Sequence, residues 1–563
     1  MVLDGVAGCS LWLMPVLTEM ADYDGWRQRH RQWRARARPP VPLGGNPLFS
    51  VVVDSEAGDS SALANTVESL LAQTFANVEV TLCGVARDAT EARHPDLARW
   101  TNLGFRIRGL VWEPDRTAVH ALSSALAGAC APVTRGDFVM CVPAGTTFDA
   151  DCFAEICHTM DSCDLEQDPS LVLIDHDRAV AGDGAPVPHL LWHWGLDQLL
   201  EEDLVGASFA VSRECITRRG GPPCTHVREW LLALMSEGVE PDVVHVAAPV
   251  VHLPAPASPR STGPESPASR SRVGAWPRNV ARIDPRAREG VSVIIPTRNH
   301  AELLRECVRG LGDADRDLEL IVVDNGSDER DAADLLRELE TQGAATVLRY
   351  PGPFNFSRLV NRGVAASKHP TLMLLNSDVR IGSWRQVAHV VDYVWRDGVG
   401  VVGTTLHYPD GAIQHAGVFI RSCDAAHHVM RGAVPGSAGY ALAHAHPRSL
   451  QAVTGALMAI RREVFHAIKG FDEGHLPVEW NDIDFCLRAR SAGWRVVCVP
   501  AQGVVHDERA TRGMQDTAQV LQMRRDAQRH MAAAWDQCGL RLPLARASIA
   551  IEDVDRPMLR EPG

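Results

Sequence analysis

No stretch of this 563-residue chain reaches the roughly 18 consecutive apolar residues that a membrane-spanning helix needs. A secretory leader pattern is also missing. Asp4 sits where positive charge belongs, and the apolar run from Cys9 to Leu17 is short and interrupted by Pro15. A cytoplasmic location is the expectation. Basic excess is absent too: 56 Lys plus Arg stand against 70 Asp plus Glu, a net charge of −14. That argues against sequence-independent nucleic-acid binding, which needs a basic face, and leaves room for local basic patches. Among 14 cysteines there is no CxxC pair. The tightest group, Cys152, Cys157 and Cys163 beside His158, matches no common zinc spacing and reads as free thiols of a reducing compartment. What remains is an ordinary globular composition, 45% hydrophobic and 22% charged, long enough for two large domains or three to four small ones.

The chain divides by composition. Residues 1–46 form an arm whose segment Trp26–Arg38 carries six arginines and two tryptophans and reads as a basic helix stopped by Pro39-Pro40. Such a helix either lies on the anionic inner face of a membrane, as a peripheral contact, or packs on its own domain with a solvated outer face. Residues 253–290 are Pro- and Ser-rich and read as a linker. Residues 514–563 read as a helical tail.

From Val291 the pattern becomes regular. Val291–Pro296, Leu318–Asp324, Thr371–Leu375 and Val399–Gly403 are short apolar runs typical of buried strands. Between them Ala301–Leu311, Asp331–Leu339 and Trp384–Trp395 have helical spacing. Alternating strands and helices imply an α/β fold with a mainly parallel sheet covered on both faces, in which ligands sit at the carboxyl ends of the strands. Those ends are polar here: Thr297-Arg298-Asn299, Asp324-Asn325 and Asn376-Ser377-Asp378.

Residues 47–252 repeat landmarks of residues 291–513. Ser50 matches Ser292 at an offset of 242, Glu79 matches Glu319 at 240, Ala210 matches Ala459 at 249 and Val251 matches Val505 at 254. Nearly constant offsets over some 200 residues imply two tandem copies of one fold. The copies differ at the strand tips. Asp324 is matched by Gly84, Asn376–Asp378 by Pro143–Gly145, and the cluster Asn481–Asp484 by His226–Glu229 with a single acid. The first copy therefore reads as degenerate, a scaffold or binding module, and the second as catalytic.

The second copy resembles the family 2 glycosyltransferases, with their GT-A-type nucleotide-sugar fold. The blocks that carry the resemblance are Val291–Asn299, Ile321–Asp328, Pro353–Gly363, Leu374–Asp378, Tyr408–Gly417, Ala452–Ala456, Gly470–Asp472 with Trp480–Arg488, and Val505-His506. The arm and first copy also resemble those of bacterial two-domain members that build surface polysaccharide, often from rhamnose-type donors.

The resemblance implies an inverting, metal-dependent transfer from a nucleotide-diphosphate sugar to a glycan or lipid-linked acceptor, and it assigns roles. Asp378, at the position of the family's DXD motif, would hold Mg2+ or Mn2+, hard cations that prefer oxygen, with His506 as an additional ligand. Asn376, where the family has the first acid, would meet the ribose. Asp324 and Thr297 would line the nucleotide pocket. Asp482 would be the general base, with Asp484 as the fallback. Gln414 and His415 would contact acceptor or diphosphate, and Trp480 would stack on a sugar. Inversion follows from a single displacement without a second nucleophile. A nucleotidyltransferase is disfavoured because residues 296–300 contain no glycine for a phosphate loop. A noncatalytic carbohydrate-binding protein of the same fold is the competing reading.

Overall fold

A computed structural model describes residues 23–37, 46–54, 60–83, 112–113, 136–161, 169–180, 186–189, 197, 208–219, 243–255, 283–422, 425–433, 446–507, 518–535, 549–550 and 558–559. Cys163, Gly84, most of the 253–290 linker and the His226–Glu229 segment lie outside these residues. Among the described residues, no helix is long and apolar enough to cross a membrane.

The arm forms α1 (Tyr23–Ala37). The first copy follows as β1 (Phe49–Asp54), α2 (Ser60–Leu71), β2 (Val78–Cys83), β3 (Trp112–Glu113), β4 (Phe138–Pro143), β5 (Thr147–Phe148), α3 (Cys152–Asp161), β6 (Leu171–Arg178), β7 (Val187–His189), β8 (Phe209–Ser212), α4 (Arg213–Arg219) and β9 (Val243–Leu253). The second copy runs through β10 (Val291–Thr297), α5 (Ala301–Arg309), β11 (Leu318–Asp324), α6 (Arg330–Thr341), β12 (Thr346–Arg349), α7 (Phe356–Ala366), β13 (Thr371–Leu375), β14 (Val379–Arg380), α8 (Arg385–Tyr393), β15 (Val399–Thr404), β16 (Leu406–His407), β17 (Ile413–His415), β18 (Val418–Ser422), β19 (Ala425–His428), β20 (Arg448–Ser449), β21 (Leu457–Arg461), α9 (Arg462–Ala467), α10 (Asn481–Ser491), β22 (Arg495–Val499) and β23 (Val505–His506). The tail contributes α11 (Ala518–Trp535) and, departing from a purely helical tail, the short antiparallel pair β24 (Ile549–Ala550) and β25 (Met558–Leu559).

The expected α/β class is borne out. The large sheet of the first copy has the order β3-β2-β1-β4-β8-β6-β9-β5, and that of the second β12-β11-β10-β13-β21-β15-β22-β20. Position for position, the first seven strands correspond, including the two antiparallel contacts made by β8 and by β21. The strands alternate faces as a doubly covered sheet requires. Val293 and Ile295 join one apolar layer of the second copy, and Ile294 joins the other.

Polar contacts repeat as well. Ser50 donates to Glu79, and Ser292 Oγ donates to Glu319 Oε2 at 2.5 Å. Arg213 Nε reaches Gly136 O at 2.7 Å, and Arg462 Nε reaches His369 O at 2.7 Å. The serine–glutamate pair ties the first strand to the second, and the arginine ties the residue after the return strand to the turn before the fourth, so the same joints lock both sheets. Counting from Phe49↔Phe138 and Val291↔Thr371 places Pro143 opposite Asn376, in agreement with the sequence match.

Of the two readings of the arm, packing is what is observed. Trp26 and Arg34 are almost fully buried. Arg27 pairs with Asp177 at 2.8 Å, Arg34 with Asp149 at 2.6 Å and Asp151 at 3.0 Å, and Arg31 with Asp149. These three arginines are committed to carboxylates of the first copy rather than left for lipid headgroups, so the membrane contact expected of the arm gains no support. Cys152 and Cys157 are buried in α3, where burial pushes the Cys157 thiol up to about 12, as suits inert thiols rather than metal-binding thiolates.

Candidate functional site

At the carboxyl end of β10 and β11, strand register sets Thr297 beside Asp324. The Asp324–Ser327 turn closes through Asp324 Oδ1, which accepts from Ser327 N–H at 2.9 Å and Ser327 Oγ at 2.6 Å. Gly326 sits at φ +80°, a conformation that glycine adopts at little cost. Asn325 Nδ2 donates to Tyr350 O at 2.9 Å. Two buried atoms in this corner, Thr297 Oγ1 and Asn325 Oδ1, have no hydrogen-bond partner among the described residues. Buried polar groups rarely stay unpaired. These two are suited to a polar ligand such as a nucleoside.

One strand over, Asn376 N–H donates to Ala456 O at 2.9 Å, and Asp378 is buried just beyond the tip of β13. The antiparallel pairing of β14 with β23 sets Val379 opposite His506 and so brings the imidazole to the carboxylate: His506 Nε2 lies 3.3 Å from Asp378 Oδ1. His506 Nδ1 meets Gln414 Oε1 at 2.7 Å, and Gln414 Nε2 donates to His506 O at 3.2 Å. An amide oxygen only accepts, so Nδ1 carries the proton and Nε2 turns toward Asp378. Two donors bound to one ion at about 2.1 Å lie roughly 3.0–3.5 Å apart, so a carboxylate oxygen and an imidazole nitrogen at 3.3 Å fit a shared divalent cation.

Asp482 enters at the start of α10, after Trp480 at φ 65°. Its Oδ2 accepts from Gly455 N–H at 3.0 Å and its Oδ1 from Ile483 N–H at 2.9 Å. The next residue, Ala456, is the one bonded to Asn376, so the Asp482 carboxylate stands beside the tip of β13. Asp484 does not share this setting. It is buried, with Oδ2 on Arg488 Nε at 2.7 Å and Oδ1 receiving Trp535 Nε1 at 3.2 Å. The fallback base is therefore corrected to a structural anchor, since Asp484 is buried in the core on Arg488 and Trp535 while Asp482 is not.

Two more expectations need correction for the same reason. Gln414 is buried and its amide is spent on His506. His415 is fully buried, with Nδ1 2.8 Å from His428 Nδ1, and burial, with His428 next, drives its pKa well below the ordinary imidazole value. Both side chains are engaged inside the protein. Trp480 is half-buried and packs at the edge of the core.

Three side chains of α7 and its cap hold the loop before Asp482. Asn361 grips Phe471 through Oδ1 to N–H at 3.0 Å and Nδ2 to O at 2.9 Å. Asn355 Nδ2 donates to Glu473 O at 2.9 Å, and Ser357 Oγ donates to Leu476 O at 2.5 Å.

Comparison with known proteins now bears on this geometry. Residues 287–528 match the family model described as glycosyltransferase like family 2. The second domain is a glycosyltransferase-like domain. The resemblance read from its motifs is borne out over that span. The uncharacterized protein y4gI of Sinorhizobium fredii (strain NBRC 101917 / NGR234) is 29% identical over 570 aligned positions, covering 96% of this chain and 62% of that protein. The O-antigen biosynthesis protein RfbC of Myxococcus xanthus is 28% identical, covering 88% of this chain and 40% of its own length. The chain thus spans less than two thirds of either relative. Among solved structures, the mannosyltransferase PcManGT from Pyrobaculum calidifontis, in complex with GDP-Man and Mn2+, is similar at 16% identity and a TM-score of 0.30, covering 47% of this chain and 79% of that one. GalNAc-T7 with UDP, GalNAc and Mn2+ is similar at 16% identity and a TM-score of 0.34, covering 45% and 49%.

The first copy has its own acidic group, invisible in the sequence match. His252 pairs with β5 as His506 does with β14. It bridges Asp177 at 2.8 Å and Asp149 at 3.0 Å, the same carboxylates that hold the arginines of α1. Where the second copy presents a carboxylate and an imidazole, the first has closed the equivalent corner with guanidinium groups.

Proposed function

We propose that the glycosyltransferase-like domain moves a hexosyl or rhamnosyl group, with inversion, from a nucleotide-diphosphate sugar to a hydroxyl of a glycan or lipid-linked acceptor during synthesis of a cell-surface polysaccharide. The observation that carries this reading is the arrangement of Asp324, Asp378 with His506, and Asp482 along the carboxyl ends of one sheet, where α/β folds bind ligands. The match to an O-antigen biosynthesis protein supports the polysaccharide setting.

In this reading Thr297, Asp324 and Asn325 receive the nucleoside, and Asn376 meets its ribose. Asp378 and His506 hold Mg2+ or Mn2+, with Gln414 keeping the imidazole in the ligating tautomer. When bound, the cation neutralises charge on the departing diphosphate. Asp482 accepts the proton of the acceptor hydroxyl. Its two backbone hydrogen bonds fix the carboxylate plane, and each oxygen keeps a second lone-pair position for that proton. The first copy serves as a scaffold.

The test is release of nucleoside diphosphate by the full chain from a panel of UDP-, GDP- and dTDP-sugars with Mn2+. Asp482→Asn is expected to lower turnover at least about 100-fold while leaving donor binding intact. Binding of a nucleotide sugar without turnover of any donor over a range of acceptors would favour the noncatalytic binding protein instead. A mutant as fast as wild type would remove Asp482 from its role.

A further inference from the structure

Outside the proposed site, Asp472, His475 and His530 bring three donors together. Asp472 Oδ1 already accepts the backbone N–H groups of Gly474 and His475, each at 2.9 Å, which fixes the carboxylate and aims Oδ2 outward. That Oδ2 lies 2.9 Å from His475 Nδ1 and 3.6 Å from His530 Nε2. The two imidazoles sit face to face, with centroids 4.3 Å apart. All three ligand atoms fall within 4.8 Å of one another.

The two segments that supply them are held by independent contacts. The loop is gripped by Asn361, Asn355 and Ser357. The helix α11 buries Ala527, Met531 and Trp535 in the core, donates from Trp535 to Asp484, and pairs Arg524 with Glu479 at 2.7 Å. The donors therefore stay close whatever fills the space between them.

We infer that Asp472, His475 and His530 form a second divalent-metal site, of zinc type, that fastens α11 to the loop leading into Asp482. Two imidazoles and one carboxylate suit a borderline transition ion such as Zn2+ better than Mg2+. Carboxylate–imidazole edges of 2.9 and 3.6 Å bracket the roughly 3.0–3.5 Å expected between donors on one such ion. His475 is largely exposed and its ring can turn out of the stack to take up the ion. The fourth position is left to water. The site is separate from Asp378 and His506, and its role is to hold the loop rather than to touch the donor.

The test uses the full chain carrying Asp378→Ala, which removes the other candidate metal site, titrated with CoCl2 alone and followed by the visible d–d absorption of the bound ion. One equivalent of Co2+ with a ligand-field band, displaced by ZnCl2, and a rise in melting temperature on ZnCl2 addition are expected. Adding His530→Ala, or separately His475→Ala, is expected to abolish both, with circular dichroism confirming the fold. No band in the Asp378→Ala chain, or a band that survives either histidine substitution, would overturn the site and leave the pair as stacked imidazoles only. Because the readout needs no donor or acceptor, it is independent of whether the domain transfers a sugar.

Discussion

Gln414 holds His506 by Oε1 on the ring Nδ1 at 2.7 Å and by Nε2 on the backbone O at 3.2 Å. In sequence it sits in a loop rich in glycine and alanine, next to His415, and the pair reads as a contact for acceptor or diphosphate. In the fold β17 buries both, and only the partner 92 residues away reveals the task. Gln414→Leu keeps the volume and removes the tether. It is expected to weaken Mn2+ binding about 10- to 100-fold, raising the metal concentration needed for half-maximal rate, with turnover at saturating Mn2+ little changed. Manganese titration by electron paramagnetic resonance checks it. Asp484 teaches the converse. The resemblance leaves Asp484 as the fallback base, but residues two apart on a helix point different ways, and Asp484 turns into the core toward Arg488 and Trp535.

At the scale of elements, α1 is the clearest case of a segment whose role depends on what it meets. Its arginines close over Asp149, Asp151 and Asp177, and Arg34 is almost wholly buried between two carboxylates. Arg34→Met removes the charge while keeping much of the side-chain length, leaving those carboxylates without their buried counterion. Loss of about 3–5 kcal/mol of first-domain stability is expected, read as a lower urea midpoint at constant slope.

The acids and His252 also set a pH window. Burial alone would raise the pKa of Asp149. Hydrogen bonds from His252 and Arg31, with the charges of His252 and Arg34, hold it far below the ordinary carboxylate value instead. Its contribution is present above about pH 4 and fades as pH falls toward the depressed folded value. Burial would lower the pKa of His252, but the hydrogen bonds it donates to Asp149 and Asp177 raise it above the ordinary value. That contribution is present below about pH 6.5 and is lost as pH rises through the raised folded value. The first domain should therefore be most stable between about pH 4 and 6.5, and melting temperatures measured across pH 3–9 should peak there.

At the scale of the whole molecule, one joint between the two copies among the described residues is the fully buried Asp197. Asp197 accepts from Tyr393 OH at 2.7 Å and Ser449 Oγ at 2.5 Å and pairs with Arg495 at 3.3 Å, joining the first copy to α8, β20 and β22 of the second. Asp197→Ala leaves Arg495 without its buried partner and should weaken the joint by about 3–5 kcal/mol. Scanning calorimetry is expected to show one transition in wild type separating into two in the variant, while nucleotide-sugar binding by the second domain persists.

Much of this architecture was legible in the amino acids themselves. Apolar runs of strand length alternating with helical spacing determine a doubly covered α/β sheet, because only that arrangement buries both faces of such strands. Matching landmarks such as Ser50 with Ser292 and Glu79 with Glu319 determine the repeat, and the polar tips at Thr297, Asp324 and Asp378 mark the end of the sheet where ligands bind. Other features were decided only by the fold: that Gln414 stands behind His506, that Asp484 is buried while Asp482 is not, that α1 closes the acids of the first copy, and that His530 reaches Asp472. Strand and helix formation depend on spacing along the chain, which a sequence displays. Hydrogen bonds and ion pairs between residues tens to hundreds of positions apart depend on strand order and register, which exist only once the chain has folded.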